Sequence, residues 1–476
     1  MDISVSDRNL KTAYWIAMVF LFCLLVGSVF YYQERMLFVD PAFITFEIIN
    51  SEWFVFSEFR YGAFVTQMFP LAGVKLGWSL KTILMMYSVS FYLFYLFVFL
   101  FCGLVLKQYK YGILLVLYLS LLVSDVYFWP NNEIHQAVGW GLLFLSLYGW
   151  AEMKSWRVSR LTHIALVLVL GLALISHLIF TVPFIYLWVY RYLARGENEK
   201  VNLKLTVIYS VLAGIVVALR YWLSHNSWYD GVKLEGMKSL TVSDAINCFT
   251  SEQAKSLGAL LISTHWVIIP VFLIGVASLI YHRNYLQAGW TIFSVMSYFI
   301  IVTVTHPQAI EPSSIFYYES QWTSWTLILA LPFVDKIIEL MPHRRVVLLI
   351  MLCLFISKLP GLMRSLDKFQ YRLETLKEVY NKADSNETSK VLLEYDAELD
   401  QRLLMTWGLP VETLLYSTLK NKSQATSIKL VDKQFAQTAS LDSVYTAFAL
   451  LPSGRLNADY FVTDTSQAYL KIAWKN

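Results

Sequence analysis

The chain has 476 residues, of which 57% are hydrophobic and 15% charged, and its formal net charge is +4. This composition excludes an ordinary soluble globular protein and predicts an integral membrane protein in a lipid bilayer. Binding of nucleic acid needs a basic face, and the Lys and Arg residues here are scattered between apolar segments. The four cysteines show neither CxxC spacing nor a disulfide framework.

Apolar runs long enough for membrane-crossing helices recur along the chain. Such a helix needs roughly 20 apolar residues, and the first run, 13–32, is interpreted as an uncleaved anchor. Later runs lie near 82–106, 111–128, 136–151, 204–224, 258–281, 286–305, 321–335 and 345–363. The run 161–193 is too long for one crossing and is interrupted at His177. It therefore predicts two short helices that meet near His177.

The distribution of basic residues predicts an orientation, because Lys and Arg collect in cytoplasmic loops. About eleven spans with a cytoplasmic N-terminus place most basic loops inside. The loops around 125–135, 176–179 and 306–320, which contain no Lys or Arg, then lie outside. The basic residues predicted inside include Arg8, Lys11, Lys107, Lys110, Lys154, Arg157, Arg191, Arg195, Lys336 and Arg344.

The composition becomes that of a soluble chain after the last span. We therefore predict a membrane domain, 1–363, followed by a small extracytoplasmic α/β domain, 364–476. In the latter, KFQYRLETLKEVYNKA has helical periodicity, and SIKLV and YFVTD resemble short strands. The apolar segment MTWGLPVETLLYSTL is predicted to pack against the membrane domain.

Most of the unusual polar residues fall on the predicted outer side. Ionisable groups at membrane depth are costly and usually face a cavity or a pathway, so several loops are expected to converge on one polar vestibule. The polar candidates are Asp40, Glu47, Glu52, Glu58, Glu133, His135, His177, Asp230, His306 and Glu319. The aromatic candidates for stacking on a sugar are Trp53, Trp228 and Tyr229.

The acidic candidates also have structural interpretations. Asp40, followed by Pro41, could simply cap a helix. Residues 40–50 are predicted to form an interfacial helix with its aromatic side chains toward lipid, and on such a helix Glu47 could be only a solvated charge. Glu133, with His135, could be a first-turn helix residue.

Three further candidates lie near the ends of predicted spans. His177 stands at a helix break, where irregular backbone must be covered by protein or line a cavity. Arg220 could snorkel toward the interface or bind the phosphate of a lipid substrate. Lys358 has a similar position at the end of the last span. Motifs for nucleotide hydrolysis, dinucleotide binding, hydrolase elbows and zincins are absent from the sequence.

The layout of the first 360 residues resembles that of a known superfamily. One span is followed by a long outer loop that begins with an acidic residue, Asp40, and then by many more spans. This arrangement resembles the polytopic C-type-fold glycosyltransferases, which use sugars carried on polyprenyl phosphate. The paired acidic motif of those enzymes is not present, since Val39 and Pro41 flank Asp40.

The resemblance implies a function at a bacterial inner membrane. Asp40 would be the catalytic base that takes the proton of an acceptor hydroxyl. Arg220 and Lys358 would bind the lipid phosphate, while Glu47, Glu133, His135 and His177 would position the acceptor, which is a glycan, a lipid or a protein. No metal ligand is predicted, and a divalent cation is the one candidate cofactor.

Other functions remain as alternatives. A flippase or polymerase-type protein of surface polysaccharide assembly would handle lipid-linked glycans without an Asp base, and a non-catalytic membrane scaffold would show the same layout. An ion-coupled transporter is disfavoured, because it needs ionisable residues near the middle of its spans.

Overall fold

The computed structural model describes residues 5–155, 157–195, 202–227, 229–231, 234, 241–305, 310–421, 424–435 and 439–475. These residues are mostly helical, and their strands all lie after residue 389. The first ten α-helices are α1 (Val5–Phe30), α2 (Tyr32–Met36), α3 (Val39–Ser51), α4 (Phe64–Lys75), α5 (Leu80–Leu100), α6 (Tyr109–Leu121), α7 (Glu133–Met153), α8 (Arg160–Ser176), α9 (Thr181–Leu193) and α10 (Leu203–His225).

The helices with defined bounds from residue 242 onward lead into the C-terminal region. They are α11 (Val242–Asn247), α12 (Glu252–Ser263), α13 (Ile268–Tyr281), α14 (Tyr285–Thr305), α15 (Ile315–Trp322), α16 (Trp325–Phe333), α17 (Arg344–Ile356), α18 (Leu359–Asp384), α19 (Ala397–Leu403) and α20 (Leu409–Lys420). The strands are β1 (Lys390–Glu394), β2 (Ser427–Val431), β3 (Ser443–Tyr445), β4 (Leu450–Pro452) and β5 (Leu470–Ile472).

Several helices have the length and composition of membrane spans. Among the described residues, five helices qualify, and the number rises to seven if each of two bent helix pairs is one span. The prediction of a helical membrane protein is therefore confirmed, whereas the count of eleven spans is not. The predicted runs 111–128 and 321–335 are interrupted, since α6 has 13 residues and α16 has 9. The five helices are Asp7–Phe30, Leu80–Val105, Leu203–His225, Tyr285–Thr305 and Arg344–Asp384.

The predicted break near His177 is confirmed. Helix α8 ends at Ser176, and the helical segment that follows is bent by 117° relative to it. His177 has extended backbone angles, and its Nδ1 accepts a hydrogen bond from the backbone N–H of Ile179 at 3.3 Å. The side chain thus caps the next helical turn, which is how an N-cap residue satisfies an otherwise unpaired N–H.

The predicted interfacial helix of residues 40–50 forms as α3, but its aromatic side chains do not face lipid. The ring of Phe43 lies 5.9 Å from that of Trp407, and the ring of Phe46 lies 5.4 Å from that of Phe461. Both partners belong to the C-terminal region, which covers α3. The prediction of lipid-facing rings was wrong, because apolar side chains on a helix pack against whatever apolar surface is folded over them.

The C-terminal region contains a small parallel sheet in the order β2, β1, β5 and a separate β3–β4 hairpin. SIKLV forms β2 as predicted, but YFVTD at 460–464 is not a strand. Instead, Tyr460 donates a hydrogen bond to the carbonyl of Trp78 at 3.0 Å, which fastens this segment to the membrane helices. Helix α18 runs continuously through the predicted domain boundary at residues 363 and 364.

The segment MTWGLPVETLLYSTL packs against the membrane domain, as predicted. It forms α20, whose apolar side is buried against α3. Beyond α20, the backbone N–H of Asn457 donates to the side chain of Asn50 at 2.9 Å. The C-terminal region is therefore attached to both ends of α3 rather than hanging free from the last span.

Candidate functional site

Asp40 lies in the first turn of α3, and its carboxylate contacts a tryptophan. Helix α3 begins at Val39 with Phe38 as its N-cap, so Asp40 does not cap the helix. Asp40 Oδ2 instead accepts a hydrogen bond from Trp129 Nε1 at 2.9 Å. The indole ring is in turn packed edge-on against Phe316, with ring centroids 5.0 Å apart. The position of the carboxylate is therefore fixed from the segment before α7.

A chain of ion pairs lies beside Asp40 and joins separate parts of the sequence. Arg60 Nη1 is 2.8 Å from Glu133 Oε2, and Arg60 Nη2 is 3.0 Å from Asp230 Oδ1. The other oxygen of Asp230 is 2.7 Å from Arg220 Nη2. All four side chains are largely buried. The Asp40 cluster consists of Asp40, Arg60, Trp129, Glu133, Arg220 and Asp230.

The surroundings of Asp40 raise its pKa to about 7, from an ordinary value of 3.8. Burial is the largest cause, and the negative charge of Glu133 adds to it. The hydrogen bond from Trp129 and the positive charge of Arg60 act in the opposite direction. A carboxyl group with a pKa near neutrality can take up and release a proton at physiological pH, as a general base must.

Arg220 does not snorkel toward the membrane surface. Its side chain is 1% exposed, and besides the ion pair with Asp230 it donates from Nη1 to the backbone carbonyl of Glu58 at 2.7 Å. The carboxylate of Glu58 accepts a hydrogen bond from Ser227, whose hydroxyl oxygen also accepts from the backbone N–H of Asp230 at 3.0 Å. Burial, together with the nearby charge of Asp230, raises the pKa of Glu58.

Two residues of the C-terminal region hold the backbone that precedes Asp40. Val39 has a positive φ of 26°, which is rare for a β-branched residue. Its N–H donates to Glu412 Oε1 at 2.7 Å. The other oxygen of Glu412 pairs with Arg372, which also donates to the carbonyl of Leu37. Unfavourable backbone angles persist only where the surrounding structure fixes them, and here Glu412 and Arg372 do so.

Glu47 and His177 lie near the Asp40 cluster without belonging to it. Glu47 is partly buried two turns beyond Asp40 on α3, and burial raises its pKa. His177 follows Ser176, whose hydroxyl lies against Gly62, two residues after Arg60. The break between α8 and α9 therefore supports the loop that carries Arg60, and His177 serves as a helix cap there.

His135 and Lys358 are not brought to the Asp40 cluster. The imidazole of His135 is buried in the helix bundle and hydrogen-bonded through Nδ1 to the hydroxyl of Tyr118. Lys358 Nζ lies 2.8 Å from His265 Nδ1, and His265 Nε2 lies 3.0 Å from Glu319 Oε1. We call Lys358, His265 and Glu319 the Lys358 triad.

The Lys358 triad is fully buried and rich in hydrogen bonds. Glu319 Oε2 accepts from the backbone N–H groups of Ser124 and Val126, each at 3.0 Å. Lys358 also donates to the carbonyl of Thr264 at 3.2 Å. The segment that follows Val126 contains Trp129, so one stretch of chain contacts both the triad and Asp40. The triad is best interpreted as the anchor of that stretch, since its carboxylate is saturated by donors.

Several residues of the site were not singled out from the sequence. Arg60, Trp129, Arg372 and Glu412 had no assigned role, although Arg60 is the one basic residue in the acidic stretch 38–62. That charge contrast was the available signal, because an arginine among buried acids is expected to pair with them. Trp228 and His306, which the sequence also placed on this side, lie outside the described residues.

Two large cavities flank the helix bundle. An apolar groove of about 460 Å³ lies between α1 and the α17–α18 segment and ends at Tyr127 and Phe128, next to Trp129. A polar cavity of about 700 Å³ lies at the other end of the bundle, around Glu152 and Asp335. Among the described residues, no group of three or more His, Cys, Asp or Glu side chains is placed to hold a metal ion.

Comparison with protein-family models, with curated proteins and with solved structures finds no match for this chain. The chemistry of the Asp40 cluster must therefore be inferred from its own geometry. A carboxyl group with a near-neutral pKa, held by an indole N–H and lying beside the buried ion pairs of Arg60 with Glu133 and Asp230, can take up and release a proton at this site.

Proposed function

We propose that the protein is a membrane glycosyltransferase that moves a sugar from a polyprenyl-phosphate-linked donor to a hydroxyl of a glycan, lipid or protein acceptor. The observation that carries the proposal is the raised pKa of Asp40, about 7, within hydrogen-bond distance of Trp129 and beside Arg60. Perturbed carboxyl groups of this kind are concentrated at functional sites. The proposed relationship to the C-type-fold superfamily rests on the layout of the spans and on Asp40.

In the proposed reaction Asp40 acts as a general base. Its carboxylate takes the proton from the acceptor hydroxyl while the acceptor oxygen forms a bond to the anomeric carbon of the sugar. The bond between that carbon and the phosphate oxygen breaks, and the electron pair leaves with the lipid phosphate. Arg60 and Arg220 supply positive charge for the departing phosphate, and the proton then passes from Asp40 to solvent.

The apolar groove supports a lipid-linked donor. Most of its lining residues come from α1, α17 and α18, and they include side chains that are exposed on the outside of the bundle, such as Val19, Ile356 and Met363. An isoprenoid chain lying there would have its phosphate end near Tyr127 and Phe128. Trp129, the next residue, donates to Asp40, so residues 127–129 connect the groove to the proposed base.

The proposal includes an orientation. The Asp40 cluster and the C-terminal region would face outward from a bacterial inner membrane, with the N-terminus in the cytoplasm and about eleven crossings when the short and bent helices are counted. The distribution of Lys and Arg supports this orientation. A cysteine introduced at Ser466, in the exposed part of the C-terminal region, should then react with an impermeant maleimide in intact cells, and labelling only after lysis would contradict it.

The test of the function compares Asp40→Asn with the wild-type protein. Reconstituted protein is incubated with polyprenyl phosphate carrying radiolabelled glucose, mannose or arabinose, together with membrane acceptors, and release of the lipid phosphate is measured. Transfer should be lost in Asp40→Asn and retained in Asp367→Asn, which makes the same change on an exposed face of α18. Undiminished transfer by Asp40→Asn would refute the assignment of the base.

A wild-type protein that transfers none of these sugars would favour the non-catalytic scaffold. The ion pairs of Arg60, Glu133, Arg220 and Asp230 satisfy one another, which is what a purely structural network would also show. A flippase would instead move the intact lipid-linked sugar across the bilayer of the same vesicles, and this can be followed by protection of the label from an added oxidant.

A further inference from the structure

The polar cavity at the far end of the bundle is bordered by cations from three separate segments. They are Lys110, at the start of α6, Arg191 and Arg195, around the end of α9, and Lys336, in the helical turn after α16. The sequence explains these residues as topological signals in cytoplasmic loops. Their convergence on one cavity of about 700 Å³, a volume typical of small-molecule sites, calls for a further explanation.

These four cations differ from the other basic residues at the same end of the protein. Their side chains are 28%, 15%, 11% and 17% exposed, in chain order. Lys107, Lys154 and Arg157, which belong to the same predicted inner loops, are exposed. A charge that only sets topology can remain in water, whereas burying a cation costs free energy unless it gains partners. The four cavity residues therefore do more than mark the cytoplasmic side.

Each carboxylate that pairs with these cations is shared by two of them. Glu152 lies 2.5 Å from Arg195 and also pairs with Arg191. Asp335 pairs with Lys110 and lies 3.5 Å from Lys336.

With Glu339, the four cations face three carboxylates across the cavity. The lining thus carries an excess of one positive charge. In addition, the Nε atom of Arg191 is buried without a hydrogen-bond partner among the described residues.

The backbone around the cavity allows the side chain of Arg191 to approach it closely. Gly149 lies under the guanidinium of Arg191, and a Cβ atom there would be 3.1 and 3.2 Å from its two Nη atoms. Asp335 and Lys336 lie in a π-helical turn, Val334–Ile338, and π-helical turns in proteins occur frequently at functional sites.

The cavity lies across the bundle from the Asp40 cluster. Helix α7 connects them, since Glu133 is in its first turn and Glu152 is in its last. At 1.5 Å per residue these two positions are about 28 Å apart along the helix axis, close to the thickness of the hydrocarbon core. In the proposed orientation, the cavity and the Asp40 cluster lie at opposite faces of the membrane.

We propose that this cavity, the four-cation cavity, is a second binding site that takes a phosphate-bearing anion on the face opposite Asp40. Arginine recognises phosphate through paired N–H donors, and lysine adds charge. The phosphate could belong to an anionic lipid headgroup or to a soluble phosphorylated molecule, and the two sources share this chemistry. The proposal is independent of the transfer reaction assigned to Asp40.

The test measures thermal unfolding of the full-length protein by tryptophan fluorescence. In detergent, pyrophosphate is titrated at constant ionic strength. In nanodiscs, phosphatidylcholine alone is compared with a mixture of phosphatidylcholine and phosphatidylglycerol. Arg195→Gln, which leaves Glu152 paired with Arg191, should weaken binding about tenfold. Lys154→Gln, an exposed charge at the same end, is the matched control and should bind as the wild type does.

Each outcome has a defined meaning. Saturable stabilisation by pyrophosphate that is weakened in Arg195→Gln identifies a soluble phosphate, and stabilisation by phosphatidylglycerol alone that is weakened in the same variant identifies a headgroup. Stabilisation by neither probe overturns the proposal, as does undiminished stabilisation of Arg195→Gln or an equal weakening in Lys154→Gln. If Arg195→Gln fails to fold, Lys336→Gln and Gly149→Ala replace it, because the first breaks only a 3.5 Å pair and the second retains every charge.

Discussion

The backbone N–H of Val39 donates a hydrogen bond of 2.7 Å to the carboxylate of Glu412, although 373 positions separate the two residues. Val39 has a positive φ and immediately precedes Asp40. Glu412 is fully buried and pairs with Arg372, which in turn donates to the carbonyl of Leu37. The C-terminal region therefore sets the path of the chain where it enters α3, and with it the position of the Asp40 carboxylate.

Glu412→Ala should strongly destabilise the protein. It would leave the buried guanidinium of Arg372 without its carboxylate and the N–H of Val39 without an acceptor, a loss expected to cost about 3–5 kcal/mol. Glu412→Gln keeps an acceptor oxygen and should cost less. Chemical denaturation in detergent provides the measurement, with Glu398→Ala as the control, because Glu398 is exposed and pairs with Lys475 at the surface. Equal stability of Glu412→Ala and Glu398→Ala would show that the contacts of Glu412 with Val39 and Arg372 do not hold the start of α3.

The pKa of Asp40 predicts the pH dependence of transfer. A base must be deprotonated, so activity should be high above pH 7 and should fall as the pH decreases through about 7. The measurement is the initial rate of sugar transfer from about pH 5 to about pH 9, a range that extends to both sides of the pKa of Asp40. A profile that stays flat through neutrality would exclude Asp40 as the base.

The same shift predicts an opposite effect on stability. The folded pKa of Asp40 lies above its ordinary value of 3.8, so the folded state holds this proton more tightly than the unfolded state does. The stabilisation is present below the unfolded pKa and is lost as the pH rises through about 7. Asp40→Asn cannot ionise, so its melting temperature relative to wild type should increase from acidic to neutral pH. A constant difference would contradict the raised pKa.

Trp129→Phe should raise the pKa of Asp40 further. The substitution keeps an aromatic ring against Phe316 but removes the indole N–H, one of the interactions that lower this pKa. The acid limb of the rate profile should therefore move to higher pH, which a purely structural effect would not produce. Trp140→Phe removes a similar indole donor, which bonds to the carbonyl of Gly62, and should leave the acid limb in place.

Much of the fold could be predicted from the hydrophobic periodicity of the sequence and from the residues that interrupt it. The helix break at His177 followed from an apolar run too long for one crossing, and β2 followed from the strand pattern of SIKLV. The strand expected at YFVTD does not form, because Tyr460 and Phe461 use their side chains to attach to Trp78 and Phe46. Local pattern cannot reveal such long-range attachments, since they depend on which surfaces meet in the folded chain.

The sequence predicted the kinds of residue that form the site better than it predicted which particular residues meet there. The expectation that acids near the span ends gather in one place holds for Glu133 and Asp230, which share Arg60. His135 was grouped with them because it is two positions from Glu133. On a helix, neighbours at that spacing point to different sides, and His135 turns toward Tyr118 instead. Lys358 likewise pairs with His265, which is 93 positions away in the sequence. No sequence motif predicts this contact.

Asp230→Asn tests the electrostatic link between the ion pairs and Asp40. Asp230 bridges Arg60 and Arg220, and Arg60 retains Glu133 when Asp230 is neutral. The introduced amide would keep one acceptor oxygen for one of the two arginines but would lose the negative charge that pairs with Arg220, which also donates to the carbonyl of Glu58. We expect a loss of about 3 kcal/mol in the free energy of unfolding.

The positive charge of Arg60, which lowers the pKa of Asp40, would also be less compensated, so the acid limb of the rate profile should move to lower pH. This shift is opposite in sign to that of Trp129→Phe. The double variant Arg220→Gln/Asp230→Asn removes both partners of one pair and should recover part of the stability, as expected for residues in contact. Strictly additive losses of the Arg220→Gln and Asp230→Asn single variants would show that these two residues do not stabilise each other. An acid limb that stays in place in Asp230→Asn would show that Asp230 acts on the fold without acting on Asp40.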